Sequence, residues 1–368
     1  IPYTASSFAV CGKMFCSLLG VNYVGAMLIS AIVIVGYTTL GGFLAASTTD
    51  FIQSIIMSIA MIIVFIFGIN IAGGISAVIE NAQSLPGYLT MTTTYDPVAG
   101  VEQPYPLISI ISMIAWGLGY FGMPHILLRF MAIEDENKLT LSRRVATTWV
   151  VISLAVAVLI GVIGLAMSDT GALTVLTGSD SETIIVRISD LLSTYGIVPA
   201  FLAGTILAGI LASTMSTADS QLLAASSAVS SDLLGGILAK TASKKNTMFA
   251  DRITLILISV IAAFLASDPD SSVFNIVSFA WAGFGAVFGP VVLFALFWRR
   301  SNWQGALAGM ISGGTMVFIW KYLVRPMGGA WDIYELLPAF LISSAMIVIV
   351  SLVTKAPSQE ITEEFDRV

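Results

Sequence analysis

Three stretches of this sequence combine residue types and spacings that could do chemistry, and all three lie within long apolar runs. The first is Ser213-Thr214-Met215-Ser216-Thr217-Ala218-Asp219-Ser220. Positions 213, 216, 217 and 220 are three and four apart, so on a helix they share one face. That face presents a row of hydroxyls with Asp219 beside it. Hydroxyls, carboxylates and backbone carbonyls are the ligands that hard cations take, and sodium is a hard cation. Serine and threonine in an apolar helix also serve plain packing, bonded to their own backbone. Asp219 adds weight to the ion reading, because a carboxylate in hydrocarbon is costly and by default marks an ion or proton pathway. A structural pair with a Lys or Arg at the helix end is its other open role.

The second stretch is Trp116-Gly117-Leu118-Gly119-Tyr120-Phe121-Gly122-Met123-Pro124-His125. Glycine lowers helix propensity and Pro124 removes a backbone donor, so the run predicts a broken helix. In lipid such a break persists only where it lines a cavity or is buried in protein, and transporters bind substrates and ions at breaks of this kind. Trp116 and Tyr120, four apart on a helix, would project to one side and wall an apolar pocket. A proline-kinked helix with glycines for close packing satisfies the same residues. His125 reads as a structural hydrogen-bonding residue. The third stretch, Gly41-Gly42 to Asp50, places an acid where a helix is expected to open, with Ser47, Thr48 or Thr49 as its cap; a cation way-station is the functional alternative. A fourth run, Trp281-Ala282-Gly283-Phe284-Gly285 to Gly289-Pro290, reads as a hinge or as packing.

These stretches need elements to hold them, and the composition says which. Of 368 residues 57% are hydrophobic and 10% charged, with mean hydropathy +0.94. A soluble chain carries about 25% charge, so this is a polytopic membrane protein. Continuous rather than alternating apolar runs make it an all-α bundle and not a barrel. Segments of about 20 apolar residues fall near 1–19, 22–40, 51–72, 106–131, 146–167, 196–226, 251–267, 273–298, 304–323 and 336–354. The expected organisation is one bundle over 1–354 and a short polar tail, 355–368. A net charge of −6 offers no basic patch for nucleic acid. Two cysteines and one histidine leave no disulfide framework and no zinc-type ligand set, and no Ser/His pair suggests an enzyme.

Lys and Arg counts orient the bundle. If the loops at 41–50, 132–145, 227–250 and 299–303 and the tail are cytoplasmic, that side holds Arg129, Lys138, Arg143, Arg144, Lys240, Lys244, Lys245, Arg252, Arg299, Arg300, Lys355 and Arg367. The other side holds Arg187, Lys321 and Arg325, with Lys13 near a helix end. The C-terminus is therefore expected in the cytoplasm. The chain opens Ile1-Pro2-Tyr3 with an apolar run already under way, and is expected to be a piece of something longer.

The strings GGFLAASTTDFIQ, WGLGYFGMPHILLRFMA, MSTADSQLLAASSAVSSDL, SFAWAGFGAVFGPVVLF and GALAGMISGG resemble the sodium:solute symporter family, and within it the bacterial sodium/proline symporters. The resemblance spans essentially the whole chain. It implies a LeuT-type inverted-repeat fold lacking its first core helices, with residue 1 midway through the third. It further implies sodium at Ser213 (through its carbonyl), Ser216 and Thr217, and a sodium pathway past Asp50. Asp219 belongs to a variant shared by only part of the family. The resemblance also implies solute contacts at Tyr3, Trp116, Tyr120 and Pro124. The expected activity is sodium-coupled import of a small solute, L-proline, across the bacterial cytoplasmic membrane, with no cofactor beyond Na+ as coupling ion. Another amino acid, a carboxylate or pantothenate is the alternative solute. A transporter-like sensory domain is the alternative class.

Overall fold

The computed structural model describes residues 1–230 and 244–367. Lys240 and the end of the MSTADSQLLAASSAVSSDL string lie outside these residues. The helices are α1 (Pro2–Leu19), α2 (Tyr23–Ile71), α3 (Ile75–Ser84), α4 (Leu107–Ala115), α5 (Pro124–Met131), α6 (Leu139–Asp169) and α7 (Ile184–Ser193). They continue as α8 (Ile197–Ser227), α9 (Lys244–Leu265), α10 (Val273–Phe297), α11 (Trp303–Ile319), α12 (Leu336–Val353) and α13 (Gln359–Arg367). Among the described residues seven helices are long and apolar enough to cross a membrane, or eight if the bent pair around Met123 is one span. The chain is a multi-pass membrane protein. Two short strands, β1 (Thr93–Asp96) and β2 (Val101–Pro104), pair between α3 and α4. They and α3 fill the segment between the expected spans 51–72 and 106–131, and α13 lies in the polar tail.

Segments 22–40 and 51–72 are two helices, as expected, but the residues between them form no loop: the helices meet at a kink within the 49-residue α2. At about 1.5 Å per residue it would reach roughly 70 Å, twice the hydrocarbon thickness of about 30 Å. Gly42 divides it, with φ 63° and ψ −166° inside an otherwise helical stretch. Only glycine takes that backbone without strain. The capping expectation fails here. Thr48 and Thr49 donate their hydroxyls to Leu44 O at 2.9 Å and Ala45 O at 3.0 Å, whereas a cap accepts from free N–H groups. The helix has already restarted, and Asp50 sits two turns inside it.

The chain forms two compact units. The first comprises Ile1–Leu89, Tyr95–Glu102 and Asp135–Val277, and α8 is its axis. Toward its C-terminal end Ala218 and Leu222 join Phe8, Met27 and Ile34 in one buried cluster. Toward its N-terminal end Ala203 and Ile206 join Val64, Ile163 and Ile188 in another. Lipid is as apolar as leucine, so association depends on close packing through small residues. Gly209 is such a residue: a methyl group there would lie 2.5 Å from Ala60 Cβ.

The second unit comprises Thr90–Thr94, Gln103–Glu134 and Ser278–Val368. In it Gly305, Gly309 and Gly313 of α11 face Ser351, Ile347 and Ser343 of α12. The run around Trp281–Pro290 does not break its helix, and α10 continues through it. Its glycines serve packing, and Pro290 leaves the Ala286 carbonyl without its helical donor. That carbonyl abuts Gly313, where a methyl group would come within 2.5 Å of it. Gly313→Ala is therefore expected to cost about 1–3 kcal/mol through overpacking. Gly283→Ala, with nothing within 4 Å of the added carbon, is expected to be neutral or slightly stabilising. Thermal unfolding in detergent distinguishes the two, and equal melting temperatures would contradict this packing.

Candidate functional site

One face of α8 and its neighbours enclose a cavity of about 370 Å³ in the first unit. Ile206, Ile210, Ser213, Thr214 and Thr217 recur every three or four residues and form one wall. Tyr3, Ser6 and Ser7 of α1 and Met57, Met61 and Val64 of α2 form others. Among the expected site residues the fold thus brings together Tyr3, Ser213 and Thr217. Thr214 shares the wall, while Ser216 is not part of it.

Ser216 Oγ and Thr217 Oγ1 each lie 3.0 Å from Ser213 O. The hydroxyls donate back to this carbonyl, the ordinary arrangement of serine and threonine in apolar helices. The three oxygens nevertheless form a cluster, and a hydroxyl hydrogen can turn without any heavy atom moving. Hydroxyl and carbonyl oxygens are the donor types that a hard monovalent cation takes.

Two turns of α8 carry a second polar group. Asp219 is fully buried. Tyr37 donates to its Oδ2 at 2.9 Å, and Ser220 Oγ lies 3.3 Å from its Oδ1. Ser220 Oγ also lies 3.5 Å from Asp50 Oδ2. An ion pair with Lys or Arg, the alternative role, is not formed by this carboxyl group among the described residues. Its partners are neutral hydroxyls, and a second carboxylate stands nearby.

In the second unit the helix breaks where the sequence predicts. Residues Trp116–Gly122 form a 3-10 helix, and Met123 is extended at φ −82° and ψ 107°. The residue before proline favours that region, and Pro124 opens α5, where its missing N–H costs nothing. The two pieces bend by 42°. The 3-10 turn changes the register, because at three residues per turn Trp116 and Tyr120 no longer share a side. Trp116 instead stacks between Trp281 and Tyr334, at centroid distances of 5.6 and 5.7 Å. Trp281 donates its indole N–H to Trp116 O at 2.9 Å and meets the Tyr120 ring edge-on. With both faces of Trp116 covered, Tyr120, which is 46% exposed, presents the larger accessible aromatic surface. A methyl group at Gly119 would lie 1.9 Å from Trp281 Nε1, and one at Gly122 would lie 2.4 Å from Phe284 O. The glycines are thus both part of the break and the means of close approach.

A broken span in one helical unit and a hydroxyl-lined cavity in the other are each features of transporter architecture. The sodium:solute symporter family model matches residues 1–313. The chain belongs to this family. It is 38% identical over 364 residues to the sodium/proline symporter of Salmonella typhimurium, an alignment covering 99% of this chain and 69% of that protein. It is 39% identical over 366 residues to the high-affinity proline transporter PutP of Bacillus subtilis, covering 99% and 72%. A Na+-coupled sialic acid symporter solved in a substrate-bound outward-open state matches with TM-score 0.70 at 17% identity, covering 97% of this chain and 73% of that one. The fold is the LeuT type. Members of the family are transporters, and this chain is a transporter and not an enzyme.

Sequence reading missed the residues that hold this symporter's site in place. Tyr37 sits in an apolar span, marked only by the flanking Thr38 and Thr39. Trp281 lies in a run whose glycines drew more notice than its aromatic ring. Glu182 lies in the turn between α6 and α7. It accepts from Lys13 Nζ at 3.0 Å, Ser272 Oγ at 2.8 Å, and the N–H groups of Val273 and Phe274 at 3.1 Å each. It thereby staples α1 to the start of α10 at one end of the cavity. Partial desolvation pushes its carboxyl up, but these hydrogen bonds together outweigh it and hold the group below its ordinary value of 4.5. A depressed carboxylate contributes stability that is fully present above 4.5 and is lost as pH falls through the folded value. Glu182→Gln is accordingly expected to be less stable at neutral pH and to flatten the acid limb below 4.5. Melting temperatures from pH 7 to 3 check this, and an unchanged acid limb would contradict it.

Proposed function

We propose that this chain couples the inward movement of sodium to the import of a small solute, and that the solute is L-proline. The oxygen cluster of Ser213, Ser216 and Thr217 carries the reading. Sodium binds there, with the Ser213 carbonyl and the two hydroxyls as ligands and the 370 Å³ cavity as its approach. Asp50 and Asp219 form the cytoplasmic leg of its path, a carboxylate pair that a cation relieves of mutual repulsion. Tyr3 is the solute contact of the first unit; Tyr120, Trp116 and Pro124 are those of the second, with Tyr120 supplying most of the accessible ring. Sodium is the only coupling ion required, and no resident cofactor is needed.

Coupling follows from linkage. A ligand shifts an inward–outward equilibrium only through its different affinities for the two states. Sodium and solute that favour the same state each tighten the other's binding by the same factor. Proline as solute is supported by relatives named for it at 38 and 39% identity over nearly the whole chain. The placement is the bacterial cytoplasmic membrane with the C-terminus inside, supported by the distribution of Lys and Arg.

Thr217→Ala in the intact transporter removes one hydroxyl ligand. The half-saturating sodium concentration for proline uptake is expected to rise about tenfold or more, as for loss of a hydrogen-bonding group to a charge, with membrane insertion unchanged. Uptake of labelled proline against a sodium series reads this directly, and an unchanged sodium dependence would remove the assigned site. Competition by other amino acids, carboxylates and pantothenate tests the solute.

A further inference from the structure

The two halves of α2 reach the same turn of α8 from opposite sides of the Gly42 break. Tyr37 lies five residues before the break and donates to Asp219 Oδ2 at 2.9 Å. Asp50 lies eight residues after it, and its Oδ2 is 3.5 Å from the hydroxyl of Ser220, the residue next to Asp219. The Tyr37 hydroxyl also sits 3.2 Å from Met215 O, one turn earlier on α8. A phenol has one proton to give, and the closer acceptor takes it. Asp219 is fully buried, so the direction of its carboxylate is set by the groups that touch it, Tyr37 on one oxygen and Ser220 on the other.

This geometry separates two roles on one helix. The first half of α2 holds Asp219, and the second half, which restarts after a glycine at φ 63°, carries Asp50. We propose that Tyr37 is a positioning residue for cation passage. Its hydroxyl locks the Asp219 carboxylate on α8, so that rotation of the second half of α2 about Gly42 changes the distance between the two carboxylates and with it the hold on a cation between them. The inference rests on the reading of Asp50 and Asp219 as the sodium path and adds to it a residue and a pivot. Without the phenol hydroxyl, Asp219 is free to adopt other rotamers, and the cation loses a preorganised ligand.

Tyr37→Phe tests this, since it keeps the ring and deletes only the donor. In proteoliposomes containing the intact transporter, Tyr37→Phe is expected to raise the sodium concentration for half-maximal proline uptake about tenfold. The proline concentration for half-maximal uptake at saturating sodium should stay within about twofold, since the solute contacts are untouched. Asp219→Asn should raise the sodium requirement similarly, and the double variant should be no worse than Asp219→Asn alone, because the hydroxyl acts through that carboxylate. If Tyr37→Phe transports too poorly for kinetics, the sodium-induced rise in melting temperature supplies the same comparison, and it should need about tenfold more sodium in the variant. A sodium requirement within twofold of the wild type, or effects that multiply in the double variant, overturns the proposal. If Thr217→Ala shifts the sodium requirement while Tyr37→Phe and Asp219→Asn do not, this inference fails and the transport reading stands. Proline uptake by the wild type that ignores sodium sinks both.

Discussion

The structure turns on one constraint: in hydrocarbon every backbone N–H and C=O needs a partner inside the protein, because water cannot supply one. Unbroken helices satisfy it without help. Each place where this chain leaves the helix therefore needs support from elsewhere, and the described residues show that support. At Trp116–Met123 it comes from Trp281, whose indole N–H bonds the Trp116 carbonyl, and from glycines that admit neighbouring backbone to van der Waals distance. At Pro290 the helix survives the lost donor, with Gly313 packed against the freed carbonyl. At Gly42 a single glycine takes the whole deviation.

The same constraint explains what could be read from the sequence. Apolar runs mark spans because a span must be apolar along its length, and Gly-Pro clusters mark candidate breaks because they remove helical support. The broken helix before Pro124 was legible for this reason; that Ser213 and Thr217 share a face followed from their spacing, and Tyr3, named only through the family resemblance, lines the same cavity. Whether a glycine breaks a helix or packs it depends on what lies opposite, and that is tertiary information. Gly42 and the glycines around Trp281 have similar local sequence signals, yet one breaks its helix and the others do not. The cap assigned to Asp50 failed on the same ground. Hydroxyls near an acid look alike at a helix start and in a helix interior, and only the direction of their bonds to Leu44 and Ala45 separates the cases. The aromatic stack around Trp116 joins residues more than 160 positions apart and leaves no trace in local spacing.

The polar groups in the first unit form a graded series along α8. Nearest the cavity are the Ser213 carbonyl and the Thr217 hydroxyl, satisfied by their own helix. Further along are a buried carboxyl group held by neutral donors and a second one beyond the Gly42 break. Helix burial alone accounts for the hydroxyls. It does not by itself account for the Asp219 and Asp50 carboxyl groups lying on either side of Ser220, where a proton or a bound cation offsets the cost of burying them.

The central claim is that the Ser213–Thr217 face meets water, sodium and solute and not lipid. The most direct measurement is the alkylation rate of a cysteine placed at Ser213, with Cys11 and Cys16 replaced by serine, using a membrane-impermeant thiol reagent on the intact transporter. The account predicts that the cysteine reacts in sodium-free buffer and is protected when sodium and proline are both present, more than by either alone. A cysteine that never reacts, or one whose rate ignores both sodium and proline, would contradict it.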